Sequence, residues 1–232
     1  MRQVYNNFRQ FISIDFERID INTIDNYEGM LHKRTNKIPV SISARHIHLN
    51  REALDILYGE GYELTVFREL SQPGQYASNE QLNIVGPKGM FSNVRILGPL
   101  RKDNQVEISM TDARKLGINP PVRSSGDIAG SAPIILIGPC GSVTLKEGCI
   151  VAERHIHMSP ADAEYYGVSD MENVMVKVHN QKGGVLDNVT VRVRDDFELD
   201  MHIDTDDANA FLIKNSDWVE LIKKDDSENE DK

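Results

Sequence analysis

The sequence predicts a mainly β protein built from two related units. Three observations carry this expectation: short runs rich in β-branched residues, tight Gly- and Pro-containing turns between them, and an Arg-His-Ile-His motif that occurs twice. From Lys37 onward the runs at 81–85, 94–97, 134–137, 174–178 and 189–193 read as strands. Gly86-Pro87-Lys88-Gly89, Gly98-Pro99, Gly138-Pro139 and Gln181-Lys182-Gly183-Gly184 punctuate them. Such spacing suits a sandwich or barrel rather than a parallel α/β sheet.

In chain order, the stretch 1–34 comes first. Phe8, Ile12, Phe16 and Ile19 recur at helical spacing, while asparagines, aspartates and isoleucines dilute helix propensity, so a small docking helix and a flexible leader are both open. Ser43-Ala44-Arg45-His46-Ile47-His48-Leu49-Asn50 follows, and recurs as Ala152-Glu153-Arg154-His155-Ile156-His157-Met158-Ser159. Each copy runs into a short helix: Asn50 and Ser159 are good N-caps, Pro160 suits the first helical position, and Gly59 and Gly167 can end the turn. Val106-Glu107-Ile108-Ser109, followed by residues 111–117, reads as a weaker third copy with Glu107 in the place of a histidine. The closing residues, Lys223 to Lys232, form a polar acidic tail with nothing to bury.

Hydrophobic residues at 40% and charged residues at 27% of 232 are ordinary for a soluble globular chain. No apolar run approaches the roughly 20 residues of a membrane span. Asp15, Glu17, Arg18 and Asp20 interrupt any secretory core, so a cytoplasmic protein is expected. A formal charge of −10 argues against general nucleic-acid binding, which needs a basic surface. The two cysteines, Cys140 and Cys149, form no CxxC pattern, and Cys140 reads as a turn residue rather than a nucleophile.

The chemistry lies in the repeated motif. Side chains at i and i+2 of a strand share a face, so His46 and His48 form one imidazole pair, and His155 and His157 another. Imidazole is the usual nitrogen ligand of zinc, and a rigid strand presents two ligands at low entropic cost. Arg45 and Arg154 then face the other way, toward a turn or a carboxylate. A single HxH is more often structural than metal-binding; two copies, with a fifth histidine in Leu199-Asp200-Met201-His202-Ile203-Asp204, point to metal.

Taken together, the two histidine motifs, Leu70-Ser71-Gln72-Pro73-Gly74-Gln75, Val85-Gly86-Pro87-Lys88-Gly89, Asn93-Val94-Arg95-Ile96-Leu97-Gly98-Pro99, Gln105-Val106-Glu107-Ile108-Ser109, Ser125-Gly126-Asp127 and the segment 199–206 resemble the propanediol-utilisation phosphotransacylases, or phosphate propanoyltransferases. The resemblance runs from Ile38 to about Phe211. It implies two small β-barrels with short capping helices. The first takes 35–44 with 153–219; the second takes 45–152 with a hairpin inserted near 60–80; 1–34 is an extension and 220–232 a tail. It implies two zinc ions per subunit, one on His46, His48 and Glu107, the other on His155, His157 and His202. Arg101 would bind phosphate, with Ser125 close to the reacting groups, and Ser43, Arg68, Arg95, Leu97, His202 and Asn209 would surround coenzyme A.

The implied activity is exchange of a short acyl group, propanoyl or acetyl, between coenzyme A and inorganic phosphate, by direct transfer and without an acyl-enzyme. Acetyl phosphate or propanoyl phosphate, as in propanediol degradation, is then the product. The implied partners are acyl-coenzyme A, phosphate and further copies of the chain, with neither nucleic acid nor membrane. Packaged relatives carry an amphipathic targeting helix; the leader here is longer and rich in Asn and Ile, which leaves free cytoplasm and a bacterial microcompartment lumen as alternatives. Rival readings of the same ligands are a dinuclear thioesterase or phosphoesterase and a non-catalytic zinc-stabilised compartment protein.

Overall fold

The computed structural model describes residues 36–222, and those from Lys37 onward form one compact unit. The leader at 1–34 and the tail from Lys223 lie outside the described residues.

The described chain is mainly β and closes into two six-stranded barrels. One consists of β1 (Lys37–Ser43), β13 (Asp200–Asp204), β10 (His155–Met158), β12 (Gly184–Val193), β11 (Asn173–Val178) and β14 (Trp218–Ile222), paired in that order around the ring. The other runs β4 (Tyr76–Val85), β5 (Met90–Gly98), β2 (His46–His48), β6 (Gln105–Glu107), β9 (Ser142–Ala152), β8 (Ala132–Ile137), and closes because β8 pairs with both β4 and β9. Two short strands hang on this second barrel: β3 (Val66–Glu69) as a hairpin with β4, and β7 (Val122–Arg123) beside β9. Closure removes the unpaired edges that an open sheet would expose.

The barrels match strand for strand. β2 is parallel to β5 and antiparallel to β6, as β10 is parallel to β12 and antiparallel to β13. β6 is parallel to β9 as β13 is parallel to β1. β1 leads into β2 through Ala44-Arg45, and β9 leads into β10 through Glu153-Arg154, yet each of these leading strands is inserted in the barrel of the other half. The two halves of the chain therefore exchange their first strands.

Alternation of burial explains why these segments pair as they do. In β8, Ala132, Ile134 and Leu136 are buried and the residues between them exposed. One core gathers Ile47, Leu54, Leu82, Ile84, Ile96 and Leu136, the other Ile38, Val40, Ile156, Val174, Val191 and Val219. The predicted strands lie inside longer ones: 81–85 is the second half of β4, and 189–193 the second half of β12. Sequence pattern gives no sign of β9, whose middle holds Lys146, Glu147 and Gly148. β14 reaches Ile222, so Glu220, Leu221 and Ile222 belong to a strand and not to the tail expected from 220.

Four short helices are described: α1 (Arg51–Tyr58), α2 (Met110–Leu116), α3 (Pro160–Tyr166) and α4 (Thr205–Phe211). Each follows a site strand after one capping step, through Asn50, Ser109, Ser159 and Asp204, whose side chains accept backbone N–H groups of the first turn. Helices this short are unstable alone and depend on such caps and on their buried faces. Gly117 (φ 76°) and Gly167 (φ 63°) end α2 and α3 in the left-handed region that a glycine enters without strain. Two contacts join the barrels near these helices. The buried Gln72 amide donates to the Glu198 carbonyl at 2.9 Å and accepts from the Glu198 N–H at 3.2 Å, and the Thr111 N–H donates to Asp206 at 2.8 Å.

Candidate active site

Strand periodicity places the site. In β2, Ile47 enters the core while His46 and His48 leave the sheet on the other face with ring centroids 5.0 Å apart. β6 lies antiparallel to β2 with Glu107 opposite His46, so the carboxylate joins the imidazole pair, its Oε2 3.4 Å from His46 Nε2. One donor atom from each of the three residues lies within 4.8 Å of the others, and all three side chains are buried; among the described residues no other group of three such donors is drawn so close.

β10 repeats the geometry. His155 and His157 share a face with centroids 4.8 Å apart, and His202 on β13 stands opposite His155, as Glu107 does opposite His46. The His202 ring stacks on His155 at 5.2 Å and lies 4.8 Å from His157. This second set is gathered by its rings rather than by tightly converging nitrogens.

Hydrogen bonding bears on whether a metal fits. His46 Nδ1 lies 2.9 Å from the Ala44 carbonyl, and His155 Nδ1 lies 2.8 Å from that of Glu153. A ring whose Nδ1–H donates to a carbonyl offers Nε2 as a lone pair. His48 Nδ1 and His157 Nδ1 are buried without a hydrogen-bond partner among the described residues, and buried His202 Nε2 has only a long 3.4 Å approach to Asp200 Oδ2. Buried polar atoms normally find partners. A cation bound by each set would satisfy all of these atoms, and imidazole with carboxylate is a donor set of the zinc type. The residues present fit the metal.

The electrostatics agree. Burial works against charge at His46, His48, Glu107, His155 and His157. Burial, then His46 and Arg101, holds His48 well below its ordinary pKa, against a smaller opposing pull from Glu107. Burial, then His202, brings His155 down to about 4, and burial with His155 and His202 brings His157 to about 2. Neutral imidazole is the metal-binding form. At Glu107 burial pushes upward, but His46 outweighs it and keeps the carboxyl well below its usual range. At His46 burial pulls downward, and Glu107 with the Ala44 carbonyl reverses the shift.

A polar chain extends from Glu107. The Ser125 hydroxyl donates to Glu107 Oε1 at 2.7 Å and accepts from Arg101 Nη1 at 3.2 Å and from Gln105 Nε2 at 3.0 Å. Gln105 also donates to Glu107 at 2.6 Å and accepts the Gly126 N–H at 2.7 Å, which fixes the Ser-Gly-Asp turn. Arg101 is pinned by its N–H to the Leu49 carbonyl, at the end of the strand that carries His46 and His48.

A family model described as phosphate propanoyltransferase matches residues 39–214. The chain belongs to the phosphate propanoyltransferase family. With it the chain belongs among the acyltransferases. It is 50% identical over 206 residues to the phosphate propanoyltransferase of Thermotoga maritima, covering 84% of this chain and 98% of that protein. To that of Listeria monocytogenes it is 54% identical over 187 residues, 81% of this chain and 88% of the relative. The protein of that name from Lachnoclostridium phytofermentans is 54% identical over 186 residues, 80% of this chain and 87% of its own length.

Within this phosphate propanoyltransferase-family chain the residues expected around coenzyme A are spread more widely than the two candidate donor sets. Arg95 is the register partner of His46 on β5, but its guanidinium is bonded to the Ser78 carbonyl and lies 4.4 Å over the exposed Phe67 ring. Leu97 lies on β5 beside β2, two residues beyond Arg95. Arg68 is exposed on β3, Asn209 is exposed on α4, and Ser43 pairs with Asp204, the cap of α4. Sequence reasoning missed Gln105, Asp112 and Asp207. Asp112 on α2 holds Arg45 through two bonds of 2.7 and 2.9 Å, and Asp207 on α4 holds Arg154 at 2.9 Å. The available signal was a fourth copy: Glu107-Ile108-Ser109 with Asp112-Ala113 aligns with His202-Ile203-Asp204 and Asp207-Ala208.

Proposed function

We propose that this chain transfers a short acyl group, propanoyl or acetyl, between coenzyme A and inorganic phosphate at two zinc ions. His46, His48 and Glu107 would hold one ion, and His155, His157 and His202 the other. The observation that carries this reading is the pairing of two three-residue donor sets in matching strand register, one per barrel, with the Arg101–Ser125–Glu107 chain attached to the first. When bound, zinc with three protein ligands supplies Lewis acidity for a carbonyl and a resting place for a sulfur leaving group.

The protein's own groups supply the rest. A phosphate oxygen attacks the thioester carbon, the C–O bond forms as the C–S bond breaks, and coenzyme A departs as the thiolate. Arg101 orients phosphate through its two-pronged guanidinium, and Ser125 holds that guanidinium toward the site. Glu107 stays ionised and so anchors both Ser125 and Gln105. Buried Cys149, its thiol pushed up to about 12 by burial, is a poor nucleophile, in keeping with direct transfer.

A coupled assay with acetyl-, propanoyl- and butanoyl-coenzyme A, with and without phosphate, tests this. Release of coenzyme A that requires phosphate and yields acyl phosphate is expected. Release without phosphate would replace the reading by a dinuclear hydrolase, and no release with any substrate would leave a metal-stabilised structural protein.

A further inference from the structure

β12 carries a second arginine to the centre. Arg192 is the register partner of His157 on parallel strands, so the two side chains leave the sheet on one face. Its guanidinium stands 6.0 Å from the Phe197 ring, and that ring lies 4.1 Å from His157. The other cations nearby are committed. Arg45 is forked on Asp112, Arg154 on Asp207 and the Asp187 carbonyl, Arg194 on both oxygens of Asp196, and Arg95 on the Ser78 carbonyl. Half-buried Arg192 makes no hydrogen bond or ion pair among the described residues.

Arg101 approaches from the other barrel with one N–H given to Ser125. Burial first pulls Arg101 below its ordinary pKa; Glu107 opposes this, and the charge of Arg192 adds to the lowering, as it does after burial at His155 and His157. The carboxylates close by are already occupied, Glu107 with His46, Ser125 and Gln105, and Asp200 with Ser41. The matched barrels break their symmetry here. β5 places Arg95 beside His46 and Leu97 two residues on, whereas β12 places Thr190 beside His155 and Arg192 beside His157. A basic side chain thus stands beside the second histidine in one barrel only, where it is left unpaired.

Resting on the acyltransferase reading above, we propose that Arg192 and Arg101, one from each barrel, grip the same phosphoryl group. Inorganic phosphate, or the acyl phosphate, would then lie between two guanidinium forks. A dianion matches two cations that otherwise repel, and each fork can give it two N–H bonds.

The test compares wild-type protein with Arg192→Gln and Arg192→Lys. Inorganic phosphate is titrated into each by calorimetry, steady-state KM is measured for phosphate and for acyl-coenzyme A, and bound metal is counted. In Arg192→Gln, phosphate affinity is expected to fall roughly tenfold or more, since a charged hydrogen bond is lost. KM for acyl-coenzyme A is expected to stay within about twofold, metal content to be unchanged, and Arg192→Lys to fall between. Equal phosphate affinity in wild type and Arg192→Gln overturns the proposal. So does a raised KM for acyl-coenzyme A alone, which would assign Arg192 to the phosphates of the coenzyme, and so does loss of metal. If wild-type protein transfers no acyl group to phosphate, the acyltransferase reading fails by itself. The titration still decides Arg192: heat lost in Arg192→Gln supports a shared anion site, and no phosphate binding by wild type overturns it.

Discussion

His46 and His155 each point Nδ1 at a carbonyl two residues back, which orients Nε2 before any ligand arrives. With three protein donors per set, His155→Ala is expected to lose about one metal ion per chain and nearly all turnover, measured by elemental analysis and the phosphate-dependent assay. Arg101→Lys is expected to keep both ions yet lose about 2–4 kcal/mol of transition-state stabilisation, because lysine keeps the charge without the fork. Wild-type kinetics in that variant would remove Arg101 from the mechanism. The buried imidazoles also set a pH dependence in chelator-stripped protein. His155 protonates near 6.5 when unfolded but only at about 4 when folded, and His48 and His157 shift the same way. The unfolded chain therefore binds more protons below 6.5, and stability should fall as pH drops from there toward about 4. His46, raised by Glu107, opposes this weakly, one group against three. Denaturant midpoints across that range check the sign. At neutral pH a thiol reagent should label exposed Cys140 and spare buried Cys149 until the chain unfolds. Replacing both by alanine should leave substantial activity with intersecting initial-rate plots; parallel plots would point to a covalent acyl intermediate.

At the scale of elements, the repeated unit is a strand of three to five residues, a capping residue and a helix of two turns. Each strand carries one or two of the candidate donor side chains, and two of the four helices, α2 and α4, supply an acid that fixes an arginine on the far side, as Asp112 does for Arg45 and Asp207 for Arg154. Two of these units were plain in the sequence because Arg-His-Ile-His is distinctive at that spacing. A third showed weakly through Glu107. The fourth, at His202, was hidden because only residues of common type are shared with its counterpart. The caps Asn50 and Ser159 were readable in advance, since a side-chain oxygen just before a helix accepts its free N–H groups. Ser159 forms a reciprocal box with Asp162, so Ser159→Ala should cost about 1 kcal/mol in denaturant unfolding. β9 was unreadable for a physical reason: its first half alternates with charged residues and its second half, Cys149 to Val151, is buried on both faces, so no single period covers it.

For the whole molecule, the barrels themselves could be expected from short strands and tight turns, but pairing order lay beyond local pattern because it depends on contacts far apart in sequence. Ser41 and Asp200 meet at 2.6 Å across 159 positions. Since the halves trade their first strands, a chain cut between Gly141 and Ser142 should give two fragments that are each unfolded alone, one holding β1 without its barrel and one holding β9 without its own. Mixing them should restore β circular dichroism and metal binding; a fragment folded by itself would show that the exchange is not needed. The same exchange sets a timetable for synthesis. The barrel that ends with β9 can close once residue 152 has left the ribosome, whereas β1, made at residues 37–43, has no sheet to join until β13 and β14 emerge at 200–222. During that interval the nascent chain carries an open strand next to a finished barrel, and two polysome neighbours at that stage could each accept the strand of the other.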